Sequence, residues 1–173
     1  MPQLLDPNFE RSVVLLVHHD ASGTFGVVLN RPTEIQAPNL CATLEIDWHG
    51  RPDELIDWGG PVQPQTGWVI FGDELAAVVG PEATEIAEGV FFAGSLDVLR
   101  EVARHPVDRV RLLLGYAGWG PGQLEDEIAE GAWLSAPVSS QVVFDVEPAA
   151  MWEHAVRSLG IEPATLEPSR GIH

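Results

Sequence analysis

The feature that most limits the possible folds of this chain is the shortness of its apolar runs, which glycine, proline and polar turn residues separate. Residues 13–17 and 25–29 form two such runs, and the intervening HHDASGT predicts a hairpin. Further strands are predicted at four later runs, namely residues 55–58, 68–71, 75–79 and 89–93. None of the runs approaches the roughly 18 apolar residues that a membrane span requires. The pattern therefore predicts a β-rich chain without a membrane partner.

Helical periodicity is concentrated in the second half of the chain. Ser95 is a suitable N-cap for a helix that begins at residue 96. A buried strand is predicted at residues 109–114, followed by a second helix from about Pro121 to residue 130. A third helix is predicted at residues 148–159, with a proline in its first turn.

The length of the chain sets its domain organisation. Its 173 residues suffice for one domain with a core and are few for two. We predict an α/β (mixed α+β) single domain over residues 1–173, with many strands and two or three helices. Within residues 35–53 we predict only one short element, at 40–46, between loops that contain proline and glycine. The tail from about residue 161 is predicted to be extended.

Charge argues against nucleic-acid binding. The chain has 9 Lys+Arg and 26 Asp+Glu, a net charge of −17, and all nine basic residues are arginine. Proteins bind nucleic acids by neutralising phosphates with lysine and arginine, and these arginines form no basic stretch. The one cysteine, Cys41, cannot form an internal disulfide, and the first residues lack the basic and apolar regions of a secretory signal. We therefore expect a cytoplasmic protein that does not contact nucleic acid directly.

Residues 115–123, GYAGWGPGQ, raise the question of a phosphate-binding loop. Gly115 and Gly120 have Walker spacing, but Pro121 stands where the lysine is required, and Gln123 stands where the dinucleotide pattern requires a glycine. Residues 125–127 are all acidic and would repel a phosphate from the first turn of the following helix. No nucleotide cofactor is predicted. Metal-binding and serine-nucleophile motifs are also missing from the sequence, so no metal site is predicted.

A tight turn around two aromatic residues is the remaining interpretation of this segment. Glycines there permit close backbone approach or positive φ, and Trp119 either fills the core or stacks on a ligand together with Tyr116. Gln123 and Glu127 lie four residues apart on one helical face, which would point to solvent or to a cleft. The neighbouring leucine and isoleucine are expected to pack inward.

Polar residues at strand ends supply the other candidates. His18 and His19 are adjacent in a strand, so their side chains face opposite sides and do not form a two-histidine site. One of them could face a pocket, and the alternative is a hydrogen-bonded or exposed histidine. Asn30 and Arg31 follow a strand and could bind a carboxylate ligand or pair with an acidic residue of the fold.

Four blocks of the sequence resemble the bacterial YqgE/AlgH family. They are DPNFERSVVLL at 6–16, GVVLNRPT at 26–33, GGPV at 59–62 and GYAGWGPGQLEDEIAEGAWL at 115–134, in the order that the family has them. The resemblance implies a compact mixed fold of coiled β-sheets with an α/β portion, and it implies no established activity. Some members carry the label of transcriptional regulators, from a link to alginate control, but the charge of −17 argues against direct contact with DNA.

Two hypotheses about function follow. The first is a non-catalytic binding or regulatory protein that holds a small molecule or a protein partner near Tyr116 and Trp119. The second is an enzyme of unrecognised type, in which His18 or Glu127 transfers a proton in a cleft shared with Arg31. We prefer the first, because the sequence shows no set of nucleophile, base and orienting group.

Overall fold

The computed structural model describes residues 10–106 and 109–166. An eight-stranded, mostly antiparallel sheet lies at its centre. Its strands are β1 (Val14–Asp20), β2 (Gly23–Val28), β3 (Pro32–Gln36), β4 (Leu55–Trp58), β5 (Val62–Phe71), β6 (Thr84–Ala87), β7 (Val90–Ala93) and β8 (Val110–Trp119). The helices in the described residues are α1 (Ala37–Thr43), α2 (Asp73–Val79), α3 (Leu96–Ala103), α4 (Gln123–Ala129), α5 (Ser140–Phe144) and α6 (Pro148–Ser158).

Strand β8 organises the sheet, whose main path runs β1-β2-β8-β5-β7-β6. Along one edge, β8 pairs antiparallel with β5. Along the other edge, it pairs first with β4 in parallel, at Leu113 opposite Asp57, and then antiparallel with β2, at Trp119 opposite Thr24. Strand β3 is attached to β4 outside the main path. The mixed α+β class that the sequence predicts is confirmed, and its strands join in one branched sheet.

Apolar side chains cover both faces of the sheet, as the alternation in β5 shows. Val69 and Phe71 belong to a cluster on the face that carries α1, α2 and α3. Ile70, between them in sequence, belongs to the cluster on the opposite face, which also contains Val143 of α5 and Met151 of α6. Because successive side chains of a strand point to opposite faces, one strand contributes to both clusters.

Close crossing of two backbone segments explains several of the glycines. A Cβ atom at Gly60 would lie 2.1 Å from the carbonyl carbon of Tyr116, and one at Gly115 would lie 2.3 Å from the carbonyl oxygen of Gly60. The φ angles of Gly60 and Gly115, +153° and +82°, also favour glycine. The turn after β4 can therefore lie directly against β8 only where neither segment has a side chain.

The predicted helices are present, with small differences in their ends. The Ser95 hydroxyl accepts a hydrogen bond from the Val98 amide at 3.1 Å, which confirms Ser95 as the N-cap of α3. Helix α6 begins at Pro148 as predicted. Helix α4 begins at Gln123 rather than at Pro121, because Gly122 is its N-cap, with φ of 74°.

Residues 75–79, predicted as a strand, form most of helix α2 instead. Asp73 and Glu74 lie in its first turn, where carboxylates interact favourably with the positive end of the helix dipole. Leu75 packs into the core whereas Val78 is exposed, a pattern that follows helical spacing. The strand prediction was wrong because Val78 and Val79, which end the run, are β-branched residues that favour strands.

Three other details differ from the sequence predictions. The short element expected at 40–46 is helix α1, which begins earlier and ends at Thr43. The described residues contain six helices rather than two or three, because α1, α2 and α5 are short and carry little periodicity. Residues Pro163–Leu166 of the predicted extended tail form a 3₁₀ turn, and residues 167–173 lie outside the described residues.

Candidate functional site

Glu127, near the end of α4, is the centre of a buried cluster of polar contacts. Its Oε1 atom accepts hydrogen bonds from Trp119 Nε1 at 3.0 Å and from Trp133 Nε1 at 2.9 Å. Its Oε2 atom accepts one from Gln123 Nε2 at 2.8 Å. Only 7% of Glu127 is exposed, so these donors replace the water that a carboxylate requires.

The spacing within α4 produces this arrangement. Gln123 and Glu127 are four residues apart, so they share one helical face. Gln123 Oε1 also accepts a hydrogen bond from the Gly120 amide at 2.9 Å, which links the turn at residues 120–122 to the helix. The structure places Glu127 inward, so its face does not point to open solvent, the first of the two alternatives. Leu124 packs inward as expected, whereas Ile128 is 40% exposed, so the expectation was wrong for Ile128. Glu127 faces inward because the indole N–H groups of Trp119 and Trp133 bind its carboxylate.

Tyr116 and Trp119 do not form one aromatic site. The Tyr116 ring lies 4.8 Å from that of Phe25 and 6.2 Å from that of Trp68, centroid to centroid, in a cluster that covers one face of the sheet. Trp119 instead packs edge-on against Trp133, at 5.8 Å and 79°. Both residues belong to strand β8 rather than to the tight turn predicted around them, and the turn follows Trp119. They are three positions apart in the strand, so their side chains point to opposite faces of the sheet.

Asn30 and Arg31 hold the chain just before β1. Asn30 Oδ1 accepts a hydrogen bond from the Val13 amide, and Asn30 Nδ2 donates one to the Arg11 carbonyl, each at 2.9 Å. The Arg31 guanidinium donates to the Glu10 carbonyl. Both side chains thus bind backbone rather than the carboxylates that the sequence suggested. These contacts fix the path of residues 10–13.

The two histidines are engaged within or near the β1–β2 hairpin. His18 Nε2 lies 2.6 Å from Asp20 Oδ2, and both side chains are exposed. His19 Nδ1 lies 2.6 Å from the Thr24 hydroxyl, while His19 Nε2 lies 3.7 Å from Glu125 Oε2. The Ser22 amide and hydroxyl and the His18 ring hold the pKa of Asp20 down at about 2. The histidines face different partners, as the strand geometry predicts.

An apolar groove of about 280 Å³ lies beside β1. One wall is the chain from residue 10 to residue 16, and the other is the irregular segment 131–139. Side chains of α5 and α6 also line the groove. Among the described residues that line it, only Glu10 and Arg11 are charged, and the Arg11 guanidinium carbon lies 5.0 Å from the centroid of the Trp152 ring.

Large apolar side chains of the groove are exposed to solvent. Leu134 is 51% exposed, Val138 is 44% exposed and Leu16 is 39% exposed. Trp119 and Trp133, both bound to Glu127, also contribute to the lining. The Glu127 cluster therefore anchors the beginning of the segment that forms the outer wall of the groove.

A buried ion pair of Asp57 and Arg111 lies next to α5. Arg111 Nη1 is 3.5 Å from Asp57 Oδ2, and Arg111 Nε donates to the Val143 carbonyl at 2.6 Å. Burial raises the pKa of Asp57 to about 7, and Arg111 opposes this increase. The pair links β4, β8 and α5.

Other chemically reactive groups are few in the described parts of the chain. Cys41 is fully buried with Ile46 and Ala103, and burial raises the pKa of its thiol. A thiol in this environment packs as a small apolar side chain. The described residues contain no group of three or more His, Cys, Asp or Glu side chains that could hold a metal ion. No helix in the described ranges is long and apolar enough to cross a membrane.

Sequence reasoning named Trp119, Gln123 and Glu127 as candidates but missed three features. Trp133 was not recognised as the second indole donor to Glu127. The buried Asp57–Arg111 pair was not anticipated, since each residue stands in an ordinary strand. The groove was also missed, although the run AWLSAPV at 132–138 is apolar without helical or strand periodicity. Such a run indicates exposed apolar surface, and that signal was available.

Known proteins resemble this chain over nearly its whole length. It is 40% identical to a UPF0301 protein of Myxococcus xanthus (strain DK1622), over 100% of this chain and 94% of the relative. It is 42% identical to a UPF0301 protein of Anaeromyxobacter sp. (strain K), over 94% of this chain and 86% of the relative. Neither name states an activity.

Two solved structures share the fold. The solution structure of the AlgH protein from Pseudomonas aeruginosa matches with a TM-score of 0.75 and 33% identity, over 96% of this chain and 88% of that protein. The crystal structure of protein DIP2367 from Corynebacterium diphtheriae matches with a TM-score of 0.74 and 26% identity, over 91% and 82%. The family model described as AlgH-like matches residues 1–164. This chain therefore belongs to the AlgH-like family.

Proposed function

We propose that this protein is a non-catalytic binding protein of regulatory type, and that its ligand or partner occupies the apolar groove beside β1. The observation that carries the proposal is the exposure of Leu16, Leu134 and Val138 along one continuous groove of about 280 Å³. Covering apolar surface is favourable by roughly 25 cal/mol per Å². Contiguous exposed apolar surface of this kind marks binding sites.

The contacts of the candidate catalytic residues support a binding role over an enzymatic one. Glu127 receives two indole N–H groups and an amide, which hold a carboxylate in place. His18 contacts Asp20 at the exposed end of the hairpin, and Arg31 donates to a backbone carbonyl. Each of these side chains is therefore engaged in a contact within the protein.

Charge supports a partner other than nucleic acid. The net charge of −17, without a single lysine, repels a phosphate backbone over most of the surface. In our proposal, any regulatory effect of this protein is exerted through a protein or small molecule. The buried, unpaired Cys41 is consistent with a cytoplasmic location, which forms part of the same proposal.

A neutral solvatochromic dye such as Nile red tests the groove directly. A neutral dye is needed, because the net negative charge of the protein would repel an anionic one. We expect saturable fluorescence with the wild-type protein and loss of binding in the Leu134→Asp variant, which places a charge in the groove wall.

The Val78→Asp variant is the matched control. Val78 is 44% exposed, comparable to Leu134, but it lies on α2 and outside the groove. This variant should bind the dye as the wild type does. Equal dye binding by both variants would show that the groove is not the binding site.

A further inference from the structure

The groove follows the edge of β1 rather than one face of it. Residues 12–16 all line it, although the side chains of successive strand residues point to opposite faces. Val14, Leu15 and Leu16 of β1 are among these residues, which indicates that the groove reaches the edge of the strand and not only one of its faces. Strand β1 is the terminal strand of the main path of the sheet, and β2 is its neighbour.

Backbone directions identify the groups that face the groove. The Leu29 amide donates to the Val13 carbonyl at 2.8 Å, and the Val13 amide donates to Asn30 Oδ1 at 2.9 Å. The backbone N–H and C=O groups of Val13 therefore point towards β2 and Asn30. Directions alternate along the regular part of the pairing, from Val14 to Leu16, so the N–H and C=O groups of Val14 and the N–H group of Leu16 point away from β2. The register of the pairing shifts between Leu16 and His18. Among the described residues, no strand pairs with this side of β1.

We propose that the groove binds an extended peptide segment that adds to the sheet as a strand next to β1. The backbone of the peptide pairs with Val14 and Leu16, and its alternate side chains enter the groove between β1 and the segment 131–139. This inference rests on the proposed function and names the class of ligand. An exposed sheet edge beside an apolar groove provides both the affinity and the side-chain selection that strand addition requires.

Charge defines the chemistry of the peptide. The groove walls carry one acidic and one basic residue, Glu10 and Arg11, so alternate side chains that enter it are apolar. The protein as a whole carries −17, so a basic segment is attracted and an acidic one is repelled. The ligand is thus an extended segment of a protein, apolar on one side and basic at its ends or on the other side.

The same charge disfavours a second copy of this chain as the occupant. Pairing β1 with β1 of another copy would bring together two chains that each carry a net charge of −17. A small apolar molecule could fill the groove, but it would leave the N–H and C=O groups of Val14 and the N–H group of Leu16 without strand partners. Both alternatives are distinguished by the experiment.

The probes are fluorescent synthetic peptides in which valine or leucine alternates with threonine, with paired arginines at both ends. Anisotropy titration of the full-length protein should show saturable binding that weakens as salt increases. Matched peptides with glutamates in place of the arginines should bind about tenfold more weakly or worse. Equal binding of the basic and acidic peptides would contradict the charge argument.

N-methylation of the peptide backbone tests strand pairing without changing the protein. Two versions are compared, one methylated at the odd and one at the even nitrogens of the alternating region. Only one set of N–H groups faces β1 in an added strand, so one version should lose binding by about tenfold or more while the other retains it. An equal effect of both versions, or no effect of either, would show that the backbone of β1 does not pair with the peptide.

Leu16→Pro and Leu16→Ala form the matched pair on the protein. Proline removes the outward N–H of Leu16 without a loss of bonds to β2, whereas alanine keeps that N–H and removes only the side chain. Peptide binding should be weaker in the proline variant than in the alanine variant, with thermal unfolding used to confirm that both are folded. If Leu16→Pro does not fold, the methylated peptides still decide the question.

Comparison with the dye separates this inference from the proposed function. Dye binding that Leu134→Asp abolishes, with no peptide binding at all, would leave the groove as a binding site and refute strand addition. If neither the dye nor the peptides bind, the proposed function is refuted as well. A concentration-dependent dimer that Leu16→Pro dissociates would identify a second copy as the occupant and also refute the inference.

Discussion

The indole N–H of Trp133 donates to Glu127 Oε1 at 2.9 Å, the same oxygen atom that accepts from Trp119 at 3.0 Å. Two aromatic side chains from different segments are therefore oriented by a single carboxylate oxygen. Trp119 belongs to β8, while Trp133 lies in the segment that forms the outer wall of the groove. Glu127 joins the sheet to that wall.

Glu127→Gln should destabilise the protein by about 1–3 kcal/mol in urea unfolding. The substituted amide can still accept from the indoles with its oxygen, but its NH₂ group then faces the NH₂ group of Gln123, which donates to Glu127 in the wild type. Glu130→Gln is the control, because Glu130 is exposed at the end of the same helix and should change stability by less than about 0.5 kcal/mol. Equal effects of the two substitutions would contradict the structural role of Glu127.

Asn30→Asp should weaken the attachment of residues 11–13. The new carboxylate can still accept from the Val13 amide, but it places a negative oxygen against the Arg11 carbonyl, to which Asn30 donates. We expect a loss of about 1–3 kcal/mol and faster hydrogen exchange at Val13. Asn39→Asp, on the exposed surface of α1, makes the same chemical change and should have little effect on either measurement.

Gly60→Ala should prevent folding or cost more than about 4 kcal/mol, because its Cβ would lie 2.1 Å from the Tyr116 carbonyl carbon. A backbone atom cannot move aside as the end of a side chain can. Gly122→Ala is the comparison, since that residue also has positive φ, +74°, but no atom lies within 4 Å of the added Cβ. It should cost about 1–2 kcal/mol through backbone strain alone. Similar losses in soluble yield and unfolding free energy would disprove the close-crossing explanation.

Asp57→Asn should remove a pH dependence of stability. Burial raises the pKa of Asp57 from 3.8 to about 7 in the folded protein, so its contribution to stability is fully present below pH 3.8 and is lost as pH rises to about 7. The free energy of unfolding of the wild type, relative to the variant, should fall by up to about 1.4 kcal/mol per pH unit across this window. Asp53→Asn, at an exposed carboxyl, is the control substitution. A difference between wild type and Asp57→Asn that is constant with pH would be inconsistent with the raised pKa.

Most of the helices and strands could be predicted from local signals in the sequence. Ser95 before an amphipathic run, and Pro148 at the start of another, identify α3 and α6 because capping and periodicity act over a few residues. Residues 75–79 were assigned wrongly, since Val78 and Val79 favour strands while the acidic residues before them favour a helix. Here the first-turn carboxylates and the packing of Leu75 outweighed β propensity.

The candidate site was only partly predictable, because its parts are distant in the sequence. The i, i+4 relation of Gln123 and Glu127 could be read directly. The inward direction of that face depends on Trp133, which lies beyond the helix, and on Trp119, which lies before it. The groove needs residues 10–16 and 131–139 side by side, a relation that no local pattern contains.

The central position of β8 has a consequence for the order in which the protein can be assembled during synthesis. Strands β2 and β5 are made early, but both require residues 110–119 as their neighbour. Contacts between such distant segments close slowly, and the strand edges stay accessible to other chains until they form. Nascent chains arrested before residue 110 should be protease-sensitive, and those extended well beyond Trp119 should become resistant. One edge of β2 and one edge of β5 therefore stay unpaired during synthesis until residues 110–119 are available.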